Sequence, residues 1–241
     1  MNIIITMAGE GSRFKKIGIN QPKHEIVANN KTLFEWALMS LSVFFSSENF
    51  IFVARQGTKE FICERAKHLG IKKYCVLEID HSTAGQAETA LIALNTLTDD
   101  ESFLIFNIDT HLNINKDELT YDLMQPFDGW LQTFKAPGDH WSFVKLNSSG
   151  EVTQVTEKNR ISEYASTGLY YFKSSELFKK LCTDYRQVII DQYKEFYVAP
   201  LYQYLLQSGG KVGQNCIDFN KVIPLGTPRE VSLFDTSFKY E

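Results

Sequence analysis

The sequence lacks several features that would place a protein on nucleic acid, in a membrane or outside the cell. Its 241 residues carry a formal net charge of only −4, so it has no global positive field for holding nucleic acid or an anionic membrane. No apolar run is long enough to cross a bilayer, and residues 2–6 are too short for a signal peptide. We therefore expect a cytoplasmic protein with small-molecule partners, no nucleic acid and no membrane, and we leave a homo-oligomer open.

The cysteines and histidines show no spacing that is typical of a metal site or of a disulfide framework. Cys63, Cys75, Cys182 and Cys216 form no C-x-x-C pair, which argues against a zinc site and against a disulfide framework. We expect these cysteines to be buried apolar residues in a reducing compartment. The histidines show no metal-ligand spacing, so we expect surface or capped positions for His24, His68, His81, His111 and His140.

The chain has no internal repeat, no low-complexity tract and no Pro/Ser-rich linker. With 44% apolar and 13% aromatic residues it can bury a core of ordinary size. We expect a single domain over residues 1–241, in which residues 1–125 bind one substrate and residues 126–241 cover it and bind the other.

Strands and helices alternate in the first half. Strand-like runs include residues 2–6, 50–53, 74–77 and 103–106, and helix-like segments include residues 33–41, 59–69 and 88–97. Thr32 and Glu35 form a capping-box pair before the first long helix. This alternation predicts a parallel sheet between two layers of helices, an α/β fold of three layers.

The second half changes character. Short aromatic or β-branched runs predict strands at residues 130–135, 141–146, 152–157 and 167–173. Two helices are predicted after them, near residues 175–184 and 195–207.

A glycine loop follows the first predicted strand. Gly9 and Gly11 allow a sharp turn there and can bring backbone N–H groups close to a polyphosphate. A Rossmann fingerprint would need glycine at Phe14, and the Gly-Lys-Ser/Thr of a P-loop is absent. By itself the loop is equally consistent with a plain strand-to-helix turn.

Three segments together resemble the N-terminal signature of the sugar-phosphate nucleotidyltransferases, which include glucose-1-phosphate thymidylyltransferases and uridylyltransferases. They are residues 7–13, 21–23 and 31–36. The resemblance implies a Rossmann-like α/β/α nucleotidyltransferase fold with a mixed, mainly parallel central sheet. It also implies that Lys23 stabilises charge during phosphoryl transfer. The sequence departs from the family pattern in two places: Glu10 replaces the usual glycine, and residues 24–26 replace an apolar continuation. The nucleotide-binding loop would comprise Ala8, Gly9, Glu10, Gly11, Ser12 and the catalytic Arg13.

Two further segments match the nucleotide and metal sites of the family. Gln86 and Ala87 match a segment placed against the base, and the Gln86 amide can both donate and accept hydrogen bonds. Asp109 ends a predicted strand, where ligands of open α/β folds gather, and it matches the family's Mg²⁺-binding aspartate. An isolated aspartate in that position would more often cap a helix or form a turn.

The acceptor site is implied by resemblance in the second half. Glu157 would bind acceptor hydroxyls and the catalytic Lys158 its phosphate, Gly168 would let a sugar ring lie close, and Glu195 matches an acceptor-binding glutamate more loosely. One departure is clear: Pro224 stands where the family has a second metal-binding aspartate. Either another acid such as Asp218 completes the site, or one carboxylate and the phosphates suffice.

The resulting expectation is a Mg²⁺-dependent nucleotidyltransferase that joins a nucleoside triphosphate to a phosphorylated small molecule, the acceptor, and releases pyrophosphate. A sugar phosphate destined for capsule or another surface polysaccharide is the expected acceptor. The alternatives are a cytidylyltransferase acting on choline phosphate, a glycosyltransferase of related fold and a non-catalytic nucleotide-sensing subunit.

Overall fold

The computed structural model describes residues 1–240. The strands are β1 Asn2–Met7, β2 Val27–Ala28, β3 Lys31–Thr32, β4 Asn49–Arg55, β5 Lys73–Ile79, β6 Phe103–Asn107, β7 Thr110–Leu112, β8 Gly129–Lys135, β9 Ser142–Leu146, β10 Val152–Glu157, β11 Tyr164–Phe172, β12 Val212–Ile217 and β13 Val222–Pro224. The helices are α1 Ser12–Lys15, α2 Leu33–Met39, α3 Lys59–Leu69, α4 Gln86–Leu94, α5 Tyr121–Met124, α6 Ser175–Tyr193, α7 Ala199–Gln207 and α8 Pro228–Phe234. Together they form an α/β fold built on one large sheet.

The large sheet has nine strands and is mixed. Strands β5, β4, β1 and β6 are parallel neighbours in that order. Strand β11 runs antiparallel to β6, β8 and β9, whereas β12 is parallel to β8 and β10 is antiparallel to β9. Only β10 and β11 therefore run against the other seven strands of this sheet within residues 1–240. The predicted mixed and mainly parallel sheet is confirmed.

Helices cover both faces of the sheet. In β1, Ile3 and Ile5 pack into a core with residues of α2 and α3, whereas Ile4 packs into a second core with residues of α4, α6 and α7. Side chains alternate between the faces of a strand, so a strand covered on both sides is apolar along its whole length. This explains why β1 is buried at every residue and confirms the three-layer architecture.

A third, smaller core fixes the segment after the glycine loop. Phe14, Ile26 and Leu33 pack there with Leu225 and with Val231 of α8, so the C-terminal helix holds the N-terminal loop in place. The predicted capping box is confirmed as well. The Thr32 hydroxyl accepts the Glu35 N–H at 3.2 Å, and the Glu35 carboxylate accepts the Thr32 N–H at 2.8 Å.

Strand β11 changes its pairing partner beside the carboxyl end of β6. Near its start, at Tyr164 and Ala165, β11 pairs with β9, whereas from Tyr170 onward it pairs with β6. Its register with β8 shifts between Ser166 and Tyr170. The β9–β10 hairpin and β6 thus lie along different parts of the same strand, and the carboxyl end of β6 faces the space between them.

Several local predictions were wrong. Helix α6 continues to Tyr193 instead of ending near residue 184. The second predicted helix does not begin at residue 195, since residues 195–198 are not helical and α7 begins at Ala199. Histidines 24 and 111 are buried, and cysteines 75 and 216 are exposed. Within residues 1–240, no helix has both the length and the apolar character needed to cross a membrane.

Candidate active site

An open cleft of about 720 Å³ lies at the carboxyl ends of β1 and β6. This is the edge of an open α/β sheet at which ligands gather. The cleft is lined by all but two of the residues predicted from the sequence: Ala8, Gly9, Glu10, Gly11, Ser12, Arg13, Lys23, Gln86, Asp109, Glu157, Lys158 and Glu195. Positions that are distant in the chain therefore converge on one site.

The glycine loop forms one wall of the cleft. It leaves β1 and turns at Gly11, whose φ of +64° lies in the left-handed region that glycine adopts most readily. Helix α1 starts directly afterwards, and its Phe14 side chain is buried. With Phe14 directed into the core, the neighbouring Ser12 and Arg13 remain exposed and line the cleft. The loop can thus offer backbone N–H groups and a guanidinium to an anion.

Lys23 and Asp109 form an ion pair inside the cleft. The Lys23 side chain is only 10% exposed, whereas the Asp109 side chain is 47% exposed and accessible to a ligand. Two hydrogen bonds hold the backbone of Asp109 in place. Its N–H donates to the side-chain oxygen Oδ1 of Asn107 at 3.2 Å, and its carbonyl oxygen accepts the Leu225 N–H at 2.6 Å. Lys23 and Asp109 are therefore neighbours in the cleft, and the roles predicted for them stay predictions.

Gly168 lies behind the lining of the cleft, against Asn107. Its φ is +89°, and a Cβ atom at Gly168 would lie 2.9 Å from Asn107 Nδ2. The glycine therefore lets β11 approach the end of β6, where Asn107 lines the cleft and supports Asp109. A contact between Gly168 and an acceptor stays a prediction.

Gln86 begins α4 at the neutral end of the cleft. Its Nε2 donates to the Thr6 hydroxyl at 3.2 Å, and that hydroxyl in turn donates to the Phe106 carbonyl oxygen at 3.3 Å. Because the Thr6 hydroxyl donates its one proton to Phe106, it can only accept a hydrogen bond from Gln86. The Gln86 amide therefore turns its NH₂ group toward Thr6. Ala87, the other predicted residue outside the lining, is fully buried in the core, and its N–H donates to the Phe196 carbonyl at 3.0 Å.

The backbone of Phe196 clamps the loop before α4. Its N–H donates to the Ala84 carbonyl at 2.8 Å and its carbonyl accepts the Ala87 N–H, so Gly85 lies directly against it. A Cβ atom at Gly85 would lie 2.5 Å from the Phe196 carbonyl oxygen. Phe196 is flanked in the chain by Glu195 and Tyr197, which line the part of the cleft that is predicted to bind the acceptor. The loop beside the predicted base site and the acceptor-side segment are thus held as one unit.

We expect Gly85→Ala to lower the free energy of unfolding by about 2–4 kcal/mol, since a methyl group would strain the backbone and displace Phe196. Urea denaturation would measure the loss. Gly57→Ala is the matched control, because Gly57 also has a positive φ, +88°, but no atom within 4 Å of its Cβ position. Equal losses in the two variants would contradict the clamp.

Glu157 is a buried carboxyl group on the opposite wall. It is 6% exposed, and the Ser142 hydroxyl donates to it. Burial raises the pKa of Glu157, and the nearby charge of Glu195 raises it further. Burial also raises the pKa of Tyr170, whose hydroxyl lies 3.4 Å from the Ser142 hydroxyl, to about 12. Of these groups only the Glu157 carboxyl group lines the cleft, and the Ser142 and Tyr170 hydroxyls lie outside the lining.

Lys158 and Tyr197 form a pair that the sequence analysis missed. Lys158 adopts a left-handed φ of +52°, and its Nζ donates to the Tyr197 hydroxyl and lies 4.5 Å from the ring centroid. Burial, followed by the neighbouring Glu195, raises the pKa of Tyr197, so its hydroxyl stays protonated. The sequence offered one indication of this role for Tyr197, which is its position two residues after the predicted site residue Glu195. Thr6, Asn107 and His140 are other lining residues that no motif indicated.

Neither Pro224 nor Asp218 supplies a second carboxylate beside Asp109 in the cleft. Pro224 pairs with Thr110 across the β7–β13 ladder, and the exposed Asp218 is outside the lining of the cleft. Within residues 1–240, no group of three or more His, Cys, Asp or Glu residues could hold a metal ion. Mg²⁺ commonly takes one or two protein carboxylates and completes its shell with substrate phosphates and water. The accessible Asp109 carboxylate fits an ion shared with a polyphosphate.

Comparisons with known proteins show the family and the fold of this chain. The family model described as nucleotidyl transferase matches residues 2–195. A crystal structure of a nucleoside-diphosphate-sugar pyrophosphorylase from Vibrio cholerae RC9 is 36% identical, with a TM-score of 0.88, 97% of this chain and 99% of that one being covered. The inositol-1-phosphate CTP transferase from T. maritima is 16% identical, with a TM-score of 0.73 and coverage of 95% and 90%, and shares the fold. No curated protein sequence matches significantly.

Proposed function

We propose a reaction for this chain on the premise that it belongs to the nucleotidyl transferase family. The chain would join a nucleoside triphosphate to a phosphorylated sugar, or a similar polyol phosphate, and release pyrophosphate. One observation carries the proposal: a single cleft brings the glycine loop and Lys23 to face Glu157 and Lys158. Residues 1–125 would bind the nucleotide, and residues 126–241 the acceptor.

The proposed chemistry is an in-line displacement at the α-phosphorus. A phosphate oxygen of the acceptor forms the new P–O bond while the bond to the bridging oxygen of the leaving pyrophosphate breaks. Such transfer depends on positioning and charge neutralisation more than on acid–base catalysis. Arg13 and the glycine-loop N–H groups would bind the triphosphate, Lys23 would stabilise charge at the α-phosphate, and Lys158 would bind the acceptor phosphate.

Mg²⁺ is the cofactor we propose, with Asp109 as its protein ligand. Bound there, the ion would supply charge neutralisation on the phosphate oxygens. Asp109 is suited to this role because its carboxylate is accessible while its backbone is held by Asn107 and Leu225.

A hydroxylated acceptor is favoured over choline phosphate. Glu157 and Glu195 offer carboxylate oxygens to several hydroxyl donors. A quaternary ammonium would need an aromatic cage, but Trp141 lies outside the lining and its indole N–H donates to the Pro137 carbonyl at 3.0 Å. The ring of Tyr197 already faces the Lys158 ammonium. By its name, the structurally similar T. maritima enzyme uses a phosphorylated polyol, which is consistent with this choice.

The proposal is tested by incubating the protein with Mg²⁺, each of the common nucleoside triphosphates and a panel of sugar and polyol phosphates, with choline phosphate included. Added pyrophosphatase converts released pyrophosphate into phosphate, which is measured continuously. We expect release that requires both a triphosphate and a sugar or polyol phosphate. Activity only with ready-made nucleotide sugars would favour a glycosyltransferase, and binding without turnover a sensing subunit.

We expect Glu157→Gln to raise the acceptor KM about tenfold to a hundredfold, since hydrogen bonds to a charged group are lost, while the nucleotide KM changes less than about twofold.

Because the pKa of Glu157 is raised, the use of the acceptor should also depend on pH. In the wild type, kcat/KM for the acceptor should fall as pH drops toward that pKa, because protonation removes the charge, and the Gln variant should lose this dependence. Steady-state kinetics against pH measures both effects.

Glu163→Gln is the control for this prediction, because Glu163 is a surface glutamate paired with Lys135 outside the cleft. Its kinetics should match those of the wild type. Equal changes in both substrate KM values for Glu157→Gln would remove Glu157 from the acceptor site.

A further inference from the structure

Charged and neutral side chains are segregated along the nucleotide side of the cleft. Arg13 and Lys23 supply positive charge at one end of the glycine loop, whereas Thr6 and Gln86 supply neutral hydrogen-bonding groups at its start. A nucleoside triphosphate has the same polarity, with phosphates at one end and an uncharged base at the other. If each end binds its complement, the pentose lies between them, along residues 8–11.

Glu10 occupies this middle position. Its Oε1 accepts the Ser82 hydroxyl at 2.7 Å, and Ser82 in turn accepts from Arg55 Nη1 at 3.3 Å. Both Glu10 and Ser82 line the cleft. The pair connects the glycine loop to the loop that carries Gly85, and it spans the nucleotide side where a pentose would pass.

The charge of Glu10 limits what it can bind. The bond from Ser82 lowers the pKa of Glu10, and Lys15 lowers it further, so the side chain is an ionised acceptor without a proton to donate. A phosphate oxygen is repelled by such a group, whereas hydroxyl groups donate to it. The hydroxyl donors of a nucleotide are those of its pentose, and acidic side chains read a ribose 2′-hydroxyl in this way in dinucleotide-binding folds.

We propose that Glu10, oriented by Ser82, accepts hydrogen bonds from the ribose 2′- and 3′-hydroxyl groups, so that this chain selects ribonucleoside triphosphates over their 2′-deoxy counterparts. The inference rests on the proposed function and narrows its nucleotide substrate. Glu10 is exposed and at the cleft surface, so its replacement should leave the fold intact.

The experiment compares kcat/KM for each ribonucleotide and deoxyribonucleotide that share a base: UTP with dUTP, CTP with dCTP, ATP with dATP, GTP with dGTP, and 5-methyl-UTP with dTTP. For the preferred base we expect a ribo-to-deoxy ratio of about tenfold to a hundredfold, the scale of a hydrogen bond to a charged group. Glu10→Gln should bring the ratio down to below about threefold. Asp80→Asn is the matched control, since it removes an exposed carboxylate from the loop that carries Ser82, outside the lining, and should keep the ratio of the wild type.

Calorimetric binding of the same nucleotide pairs, without acceptor, separates this inference from the proposed reaction. Preferential binding of ribonucleotides by the wild type that is lost in Glu10→Gln supports the inference even if no acceptor is turned over. A wild-type ratio near one, or a high ratio that survives in Glu10→Gln, overturns it while leaving nucleotidyl transfer intact. Transfer absent with every pair of substrates counts against the proposed function instead.

Discussion

Replacing Lys23 by alanine is expected to lower kcat for nucleotidyl transfer about 10²–10³-fold, the scale seen when one preorganised charge-stabilising group is lost. The structure gives the reason. The Lys23 side chain is mostly buried at the cleft wall, and its ammonium pairs with Asp109, so it is held in place before any substrate binds. A preorganised charge needs little reorganisation during the reaction, which makes its loss costly to the rate.

The effect on stability should be small. Asp109 is about half exposed, so the ion pair is screened by solvent and contributes about 0–1 kcal/mol. Thermal unfolding of Lys23→Ala should therefore resemble that of the wild type. Lys16→Ala is the matched control, because Lys16 is an exposed lysine of the same segment outside the cleft, and it should keep full activity. Near-normal kcat in Lys23→Ala would remove Lys23 from the catalytic machinery.

Asp109→Asn is the second variant with a large expected effect. At millimolar Mg²⁺ we expect turnover to fall about 10²-fold or more, and the Mg²⁺ titration of activity to shift to higher concentration. The amide keeps the shape of the side chain, and the backbone contacts of residue 109 with Asn107 and Leu225 remain. What disappears is the negative charge that would hold the cation.

A binding measurement makes this prediction independent of turnover. Paramagnetic resonance of Mn²⁺ with a non-hydrolysable triphosphate should show weaker ion binding in Asp109→Asn, while binding of the triphosphate without metal persists. Asp218→Asn is the control, and it also tests the acid suggested from the sequence as the second ligand. Asp218 is exposed and outside the cleft lining, so its loss should leave the titration unchanged. An unchanged titration in Asp109→Asn would place the metal elsewhere.

The sequence predicted most of the N-terminal residues that line the cleft, and their roles toward nucleotide and metal stay predictions. The glycine loop, the capping box at Thr32 and the strand end at Asp109 depend on neighbouring residues and on hydrophobic periods, both of which can be read along the chain. The family resemblance, in contrast, grouped Ala87 with Gln86, although Ala87 is buried in the core. In a helix, consecutive side chains point in different directions, so a motif match does not specify which of them reaches the ligand.

The part of the cleft that is predicted to bind the acceptor was harder to predict, because its residues are brought together by non-local contacts. Tyr197 contributes to the site through Lys158, a residue of another segment, and no local pattern links the two. The predicted helix from residue 195 was wrong for the same reason. Phe196 instead satisfies its backbone by clamping Ala84 and Ala87.

The local turns and the strand-and-helix alternation could be read from the chain alone, since they are set by covalent neighbours and by periodic burial, and the family signature was recognised by its resemblance to known sequences. Three features became visible only in the folded chain: the shifted register of β11, the tight contact between Gly85 and Phe196, and the pairing of Lys23 with Asp109. These features depend on segments that meet once the sheet has formed. Which side chain pairs with which is then decided by packing and charge across that sheet, to which no single stretch of the chain contributes both partners.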